Sequence, residues 1–360
     1  MLILILLGVV LISSPAKAVV EFVDSFSDFT SSDVTITSSE DIDGKIVFES
    51  ADTKGIIDSQ TVPLKVKANQ TISKVIIWEK KPSNDQYTVK ASVYNGNIKI
   101  IEKSMQVSIF SAGMPSYRVV DLAASNTGVE LLLDGISSSI VDLKIDIIDN
   151  NDIIFTTTKS NMILNKDITN GLKIDWPFTL KDNNKYNIRA KVYLRNIFGT
   201  PPVVTSYISS FVATNDVEII PQEVKVDEYG ASITLRGKSQ VPFDGSIDII
   251  AKSLTTNQTQ TYRQEVAKIL ISGTEDTTGV VWKGLKPGKY QIDIRAMTND
   301  NVSVAEYKTV LRVPNKPIES SSSSDPATEE QSGLKLPGFQ VLYLIIGFGI
   351  ALIIRKMIEK

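Results

Sequence analysis

The sequence predicts an all-β body of three sandwich-sized repeats, with an apolar leader before it and an apolar segment after it. Three observations carry this reading. The first is alternation: Asp33-Val34-Thr35-Ile36-Thr37, Ala231-Ser232-Ile233-Thr234-Leu235 and Ser246-Ile247-Asp248-Ile249 each put apolar side chains on one face. Such runs, rich in Val, Ile and Thr and separated by Asn, Asp, Gly and Ser, are strands of half-buried sheets. The second is the lack of any stretch between Val19 and Pro314 that sustains an amphipathic helix over several turns. The third is a repeat. Trp78, Trp176 and Trp282 lie 98 and 106 residues apart, one sandwich-sized domain each time.

Each tryptophan leads into a similar tyrosine segment, after nine, ten and eight residues respectively. The segments are Tyr87-Thr88-Val89-Lys90-Ala91-Ser92-Val93, Tyr186-Asn187-Ile188-Arg189-Ala190-Lys191-Val192 and Tyr290-Gln291-Ile292-Asp293-Ile294-Arg295-Ala296. A Trp inside an alternating strand and a Tyr opening the next belong to a core and its corner. An exposed aromatic platform for sugars would need both on one solvent face. The repeat sets the domain limits: a first sandwich over 19–111, a second over 112–214 and a third over 215–314. Ala112-Gly113-Met114-Pro115-Ser116 marks the first joint.

The segment Gly284-Leu285-Lys286-Pro287-Gly288-Lys289-Tyr290-Gln291-Ile292 resembles the approach to strand F in fibronectin type III and related immunoglobulin-like domains. That resemblance implies three tandem immunoglobulin-like β-sandwiches. It also implies that Tyr290, Tyr186 and Tyr87 are corner tyrosines whose hydroxyls bond back to the preceding corner. Trp78, Trp176 and Trp282 would then be inward residues of the preceding strand. The strand-B tryptophan usual in fibronectin type III is missing.

At the start, Leu2 to Ile12 is an apolar run of 11 residues before Ser13-Ser14-Pro15-Ala16-Lys17-Ala18. The run is too short to span a bilayer, and Ala16 and Ala18 are the small residues that signal peptidase accepts. Residues 1–18 therefore read as a cleavable signal peptide, although no basic residue precedes the run. An uncleaved anchor is the alternative, and either one exports the body of the chain.

Composition removes whole classes of chemistry. The chain has no cysteine and no histidine. That excludes disulfides, thiol nucleophiles, Cys/His zinc sites, Ser-His-Asp triads and histidine acid–base catalysis. No Gly-rich phosphate loop follows a strand and opens a helix, and no carboxylate pair stands out from solvated strand edges. The expectation is a protein that is not an enzyme and needs no cofactor. Setting aside Lys17, Lys335, Arg355, Lys356, Glu359 and Lys360 leaves 33 basic and 40 acidic residues. That balance disfavours nucleic acid as a partner.

Two acidic clusters gather oxygen ligands of the kind calcium prefers: Asp149-Asn150-Asn151-Asp152 and Glu40-Asp41-Ile42-Asp43-Gly44. Neither has EF-hand spacing and both sit between strand-like runs, where Asn, Asp and Gly make turns. No metal site is assigned, and Asp149 and Asp152 are retained as weak calcium candidates. Three glycosylation sequons occur, Asn69-Gln70-Thr71, Asn257-Gln258-Thr259 and Asn301-Val302-Ser303. They matter because export is argued independently.

Residues 315–335 contain the five-serine run Ser320 to Ser324 and too little apolar content for a core, so they read as a solvated stalk. Leu336 to Ile354 then runs 19 residues without a formal charge, with Arg355 and Lys356 beyond it. As a helix that segment covers roughly 28 Å, about the thickness of a hydrocarbon core, and the basic pair suits a cytoplasmic flank. The order of serine-rich spacer, Pro337-Gly338-Phe339, short span and basic end resembles the archaeal PGF-type C-terminal sorting signal, over 336–360. The resemblance implies recognition of Pro337, Gly338 and Phe339 by an archaeosortase-type transpeptidase, removal of the span and attachment to a lipid. Glu359 in the tail and Gln340 directly after the motif depart from the family pattern. A plain single-pass anchor is the alternative.

Together these readings predict an archaeal cell-surface glycoprotein at the cell membrane, its ectodomain extracellular and its C-terminus cytoplasmic before processing. It would act in structure, display or recognition within or beneath an S-layer. Two other readings stand beside it: a carbohydrate-binding surface adhesin, and an accessory ectodomain subunit of a membrane transporter or surface enzyme. The partners implied are the membrane, the processing enzyme, and the S-layer or a surface glycan.

Overall fold

The computed structural model describes residues 20–81, 86–108, 116–195 and 203–315. The leader with Ala16 and Ala18, nearly all of the stalk, Pro337-Gly338-Phe339, the terminal span and residues 112–115 of the first joint lie outside them. The described backbone is all-β, and its one helical element is the three-residue 3-10 turn Pro221–Glu223. No helix among the described residues is long and apolar enough to cross a membrane.

The first seven strands are β1 (Val20–Ser27), β2 (Ser31–Ser38), β3 (Ile42–Asp52), β4 (Gly55–Val66), β5 (Thr71–Ile77), β6 (Gln86–Asn95) and β7 (Ile98–Ser108). β1, β2 and β5 lie side by side, and β4, β3, β6 and β7 form a second sheet. The period-2 pattern decides which side chains face inward. In β6, buried Tyr87, Val89, Ala91 and Val93 alternate with Thr88, Lys90 and Ser92, of which Lys90 is exposed. They meet Val34 and Ile36 of β2, Phe48 of β3 and Ile76 of β5 in one apolar cluster between the sheets.

The arrangement recurs. β8 (Tyr117–Ala124), β9 (Gly128–Gly135) and β12 (Thr169–Asp175) form a three-stranded sheet. It faces β10 (Ser139–Asp149), β11 (Asp152–Leu164), β13 (Lys185–Leu194) and β14 (Val203–Val212). Leu131, Leu133, Ile145, Ile147, Ile188 and Val192 fill the space between. In the third unit the edge strand is broken into β15 (Val217–Ile219) and β16 (Lys225–Val226), both paired with β17 (Gly230–Gly237). The break holds the 3-10 turn, whose Pro221 has no N–H to offer a ladder. β20 (Glu275–Val281) takes the other edge of β17, and β18 (Ser246–Ser253), β19 (Thr259–Glu265), β21 (Gly288–Met297) and β22 (Ser303–Val313) form the facing sheet.

Local geometry repeats as closely as strand order. Each tryptophan lies one residue beyond the end of a strand, β5, β12 or β20, rather than within it. Its backbone N–H donates to Thr30, Thr127 or Tyr229 O at 3.0, 2.9 and 2.9 Å, and all three side chains are buried. The indole N–H of Trp176 donates to Ser125 O at 2.8 Å and that of Trp282 to Glu228 O at 2.9 Å. Trp78 Nε1 has no acceptor among the described residues. Tyr290 OH donates to Lys286 O at 2.9 Å, and Tyr186 OH accepts from Lys181 N at 3.0 Å. Tyr87 OH is buried without a partner among the described residues, and burial raises its pKa. The turn before the fifth strand also recurs, with Asn69, Asp167 and Gly273 all left-handed at φ 61°, 60° and 81°. Their N–H groups donate to Ser38, Gly135 and Gly237 O.

The units meet in two different ways. The second and third touch at their ends: Leu180 N donates to Gln240 O, Gln240 N donates to Asn126 O, and Val241 packs into the second cluster. The first and second are joined edge to edge, Lys74 of β5 pairing with Asp152 of β11, so that their sheets run on as β1-β2-β5-β11-β10-β13-β14.

Candidate functional site: the charged seam between the first two sandwiches

Inward residues of β13 are Tyr186, Ile188, Ala190 and Val192, so alternation turns Arg189 and Lys191 to the opposite face. On a lone sandwich that face would be wet. Here it is covered by the first unit, and both side chains are buried. Arg189 Nη1 donates to Asp33 Oδ2 of β2 at 2.5 Å, and its Nε and Nη2 donate to Asp146 Oδ2 of β10 at 3.2 and 2.7 Å. Lys191 Nζ donates to the same Asp33 oxygen at 2.6 Å and stands 4.0 Å from the centre of the Phe26 ring. Thr156 Oγ1 donates to the remaining Asp146 oxygen at 2.8 Å. Two cations and two carboxylates thus close on one another out of water.

Burial works against the charge on Arg189, but Asp33 and then Asp146 outweigh it and hold its pKa above the ordinary value. For Lys191 the balance runs the other way. Burial lowers its pKa, Asp33 only partly compensates, and the neighbouring Arg189 adds repulsion. Desolvating ions is expensive, so a seam of this kind specifies a geometry more surely than it adds stability.

Asp28, in the turn between β1 and β2, ties a second knot. Its Oδ1 accepts from Thr30 N, Thr30 Oγ1 and Ser31 N at 2.8, 2.9 and 3.0 Å. Its Oδ2 accepts from Ser206 N and Oγ of β14 at 2.6 and 2.7 Å. A third tie is the β10–β11 turn, where Asn150 and Asn151 are both left-handed at φ 49° and 71°, the signature of a type I′ hairpin. Asn151 O accepts from Val75 N, and its Nδ2 donates to Val75 O, both at 2.9 Å. Beside the seam lies a cleft of about 370 Å³ lined by residues of both units, among them Thr30, Trp78, Lys81, Asp121 and Tyr207.

The two weak calcium candidates, Asp149 and Asp152, face each other across that hairpin, yet each is matched to its own lysine. Asp149 accepts from Lys181 Nζ at 3.1 Å and from the Asn150 and Asn184 carboxamides. Asp152 accepts from Lys74 Nζ at 2.5 Å. Asp41 likewise accepts from Lys67 Nζ and Ala68 N. Among the described residues no three acidic groups gather into a metal-sized cluster. Asn69, Asn257 and Asn301 are exposed in turns.

Sequence reasoning missed Asp33, Asp146, Arg189 and Lys191. An acid–base pair across the third and sixth strands occurs in every unit: Glu49 with Lys90, Asp146 with Arg189, Asp248 with Arg295. Nothing in the pattern singles out the second pair as the buried one.

No protein-family model matches this chain, and no curated protein sequence does. Among solved structures, the chain is similar to Salmonella alpha-2-macroglobulin reacted with methylamine, at 10% identity and a TM-score of 0.23, over 82% of this chain and 23% of the other. The native E. coli alpha-2-macroglobulin matches at 8% identity and TM-score 0.23, over 87% and 24%. The elastase-activated E. coli protein matches at 10% and 0.23, over 83% and 33%. The chain therefore spans between about a quarter and a third of those proteins.

Proposed function

We propose that this is an exported archaeal cell-surface protein whose tandem immunoglobulin-like sandwiches work in display, spacing and recognition at the envelope. The observation that carries the reading is the charged seam. Arg189, Asp33, Asp146 and Lys191, with the Asp28–Ser206 knot, tie two sandwiches together across a buried seam, as suits a protein whose work is to hold a surface at a distance. The immunoglobulin-like assignment draws on the recurring three-plus-four strand order and on the Tyr290–Lys286 corner. Export draws on the leader with Ala16 and Ala18, and anchoring on the serine-rich stalk, Pro337-Gly338-Phe339 and the apolar segment after them. The fold itself hosts too many functions to choose a partner.

Two measurements test this reading. External protease added to intact cells should digest the sandwich body; a fully protected body overturns export. Mass mapping of the mature C-terminus should find residues 350–360 missing if the tail is a sorting signal; their recovery leaves a plain single-pass anchor.

A second reading, the carbohydrate-binding adhesin, rests on the cleft beside Trp78 and Tyr207. The buried indoles offer no open ring face elsewhere. A glycan array blank for the intact protein, and equally blank for its Asp121→Ala variant, removes that reading.

A further inference from the structure

We propose that Asn69, Asn257 and Asn301 each carry an N-linked glycan, an inference that rests on the export reading. The three share one local geometry. Each is exposed in the connection between consecutive strands, Asn69 where the chain crosses from the sheet of β4 to that of β5, Asn257 and Asn301 in the β18–β19 and β21–β22 hairpins, with a left-handed backbone at φ 61°, 56° and 60°. In each case the hydroxyl residue two positions on, Thr71, Thr259 or Ser303, is the first residue of the following strand. The modifiable amide therefore stands at an open tip with its sequon partner held beside it by the strand.

Turn chemistry alone explains only part of this, because asparagine is common at left-handed positions. Two observations go further. Of the other left-handed asparagines, Asn150, Asn151 and Asn183 engage their carboxamides with Asp149, the Val75 carbonyl and Asp182, and Asn161, which is no sequon, donates its backbone N–H to Asp142. The carboxamides of Asn69, Asn257 and Asn301 make no hydrogen bond to a described residue, so a substituent on the nitrogen breaks nothing. At the position equivalent to Asn69 the other units carry Asp167 and Gly273. The fold asks for a left-handed residue there and does not ask for a sequon. None of the three sites touches the charged seam, and a glycan at each would extend into solvent.

The donor is a lipid-linked oligosaccharide. The asparagine amide nitrogen forms a bond to the anomeric carbon, the bond from that carbon to the lipid phosphate oxygen breaks, and the phosphate leaves with the electron pair. The nitrogen loses one proton, and nothing is oxidised or reduced.

The test is peptide mass mapping of the full chain purified from its own cells, alongside the Thr71→Ala, Thr259→Ala and Ser303→Ala variants. These keep each asparagine and its turn. Expected are a shared glycan mass on all three asparagine peptides and its loss from one site per variant, a single step down in intact mass. Bare peptides at all three sites, on protein that external protease digests from intact cells, overturn the proposal while export stands. Bare peptides on protein wholly protected from that protease overturn export and this proposal together.

Discussion

Asp33 and Arg189 stand 156 residues apart in the chain and 2.5 Å apart in the fold. Lys191 shares the same carboxylate oxygen, and Asp146 holds the far side of the guanidinium. Removing one member leaves its partners charged in a dry seam, which typically costs about 3–5 kcal/mol. Arg189→Met is therefore expected to lower stability by that amount in urea unfolding. The equivalent Lys90→Met, on an exposed face, should stay within about 0.5 kcal/mol. Equal small losses for both would show that the seam carries no structural weight.

The Asp28 knot makes a more local prediction. Asp28→Ala removes the acceptor for Ser206 N and for the β1–β2 turn, and hydrogen bonds to a charged group contribute roughly 1.5–3 kcal/mol. Amide hydrogen exchange should quicken at Ser206 and Ser31 first, with Leu131 in the core of the second unit unchanged. Uniform quickening throughout would mean that the knot is not a separate tie.

The three tryptophans form a built-in comparison. Trp176→Phe and Trp282→Phe each lose an indole N–H bond to a carbonyl, whereas Trp78→Phe loses none among the described residues. The change in ring size is common to all three. The first two are expected to exceed the third by about 0.5–1.5 kcal/mol, the net worth of one hydrogen bond. Indistinguishable unfolding midpoints would contradict this.

Asp58 predicts part of the acid response. Burial pushes its pKa up, but Lys80 N, the Gln60 carboxamide, Glu79 N and Ser59 N together hold it below the ordinary value. A depressed carboxyl contributes stability that is complete above the unfolded pKa of about 3.9 and is lost as pH falls through the folded one. Asp58→Asn should be less stable than the parent at neutral pH and should lose less on acidification below about pH 4. Parallel pH profiles would exclude Asp58 as a contributor.

Much of the strand content was legible because a period of two is a local property. Val34 and Ile36 face the core for the same reason that they alternate with Asp33 and Thr35. The tryptophans were less exactly legible. Periodicity puts them inside a strand, yet each sits one residue past its end, held by a backbone bond to a turn nearly 50 residues away or more. The calcium candidates were ambiguous for a similar reason. The Asp149–Asp152 segment spells both a turn and an oxygen cluster, and the lysines that pair with its two ends, Lys74 and Lys181, come from distant parts of the chain.

By itself, then, the sequence determined the strands and the face each residue takes, since both depend on neighbours within a few positions. Strand register, which pairs residues more than 40 positions apart, then placed a charged pair on the outer face of all three units, Glu49 with Lys90, Asp146 with Arg189 and Asp248 with Arg295. Tertiary structure alone decided which pair became a seam. Arg189 and Lys90 occupy equivalent positions, but only Arg189 is covered by another sandwich, and whether a charge is dry depends on what packs over it. That information lies in no local window, because the covering residue, Asp33, lies 156 residues away in the chain.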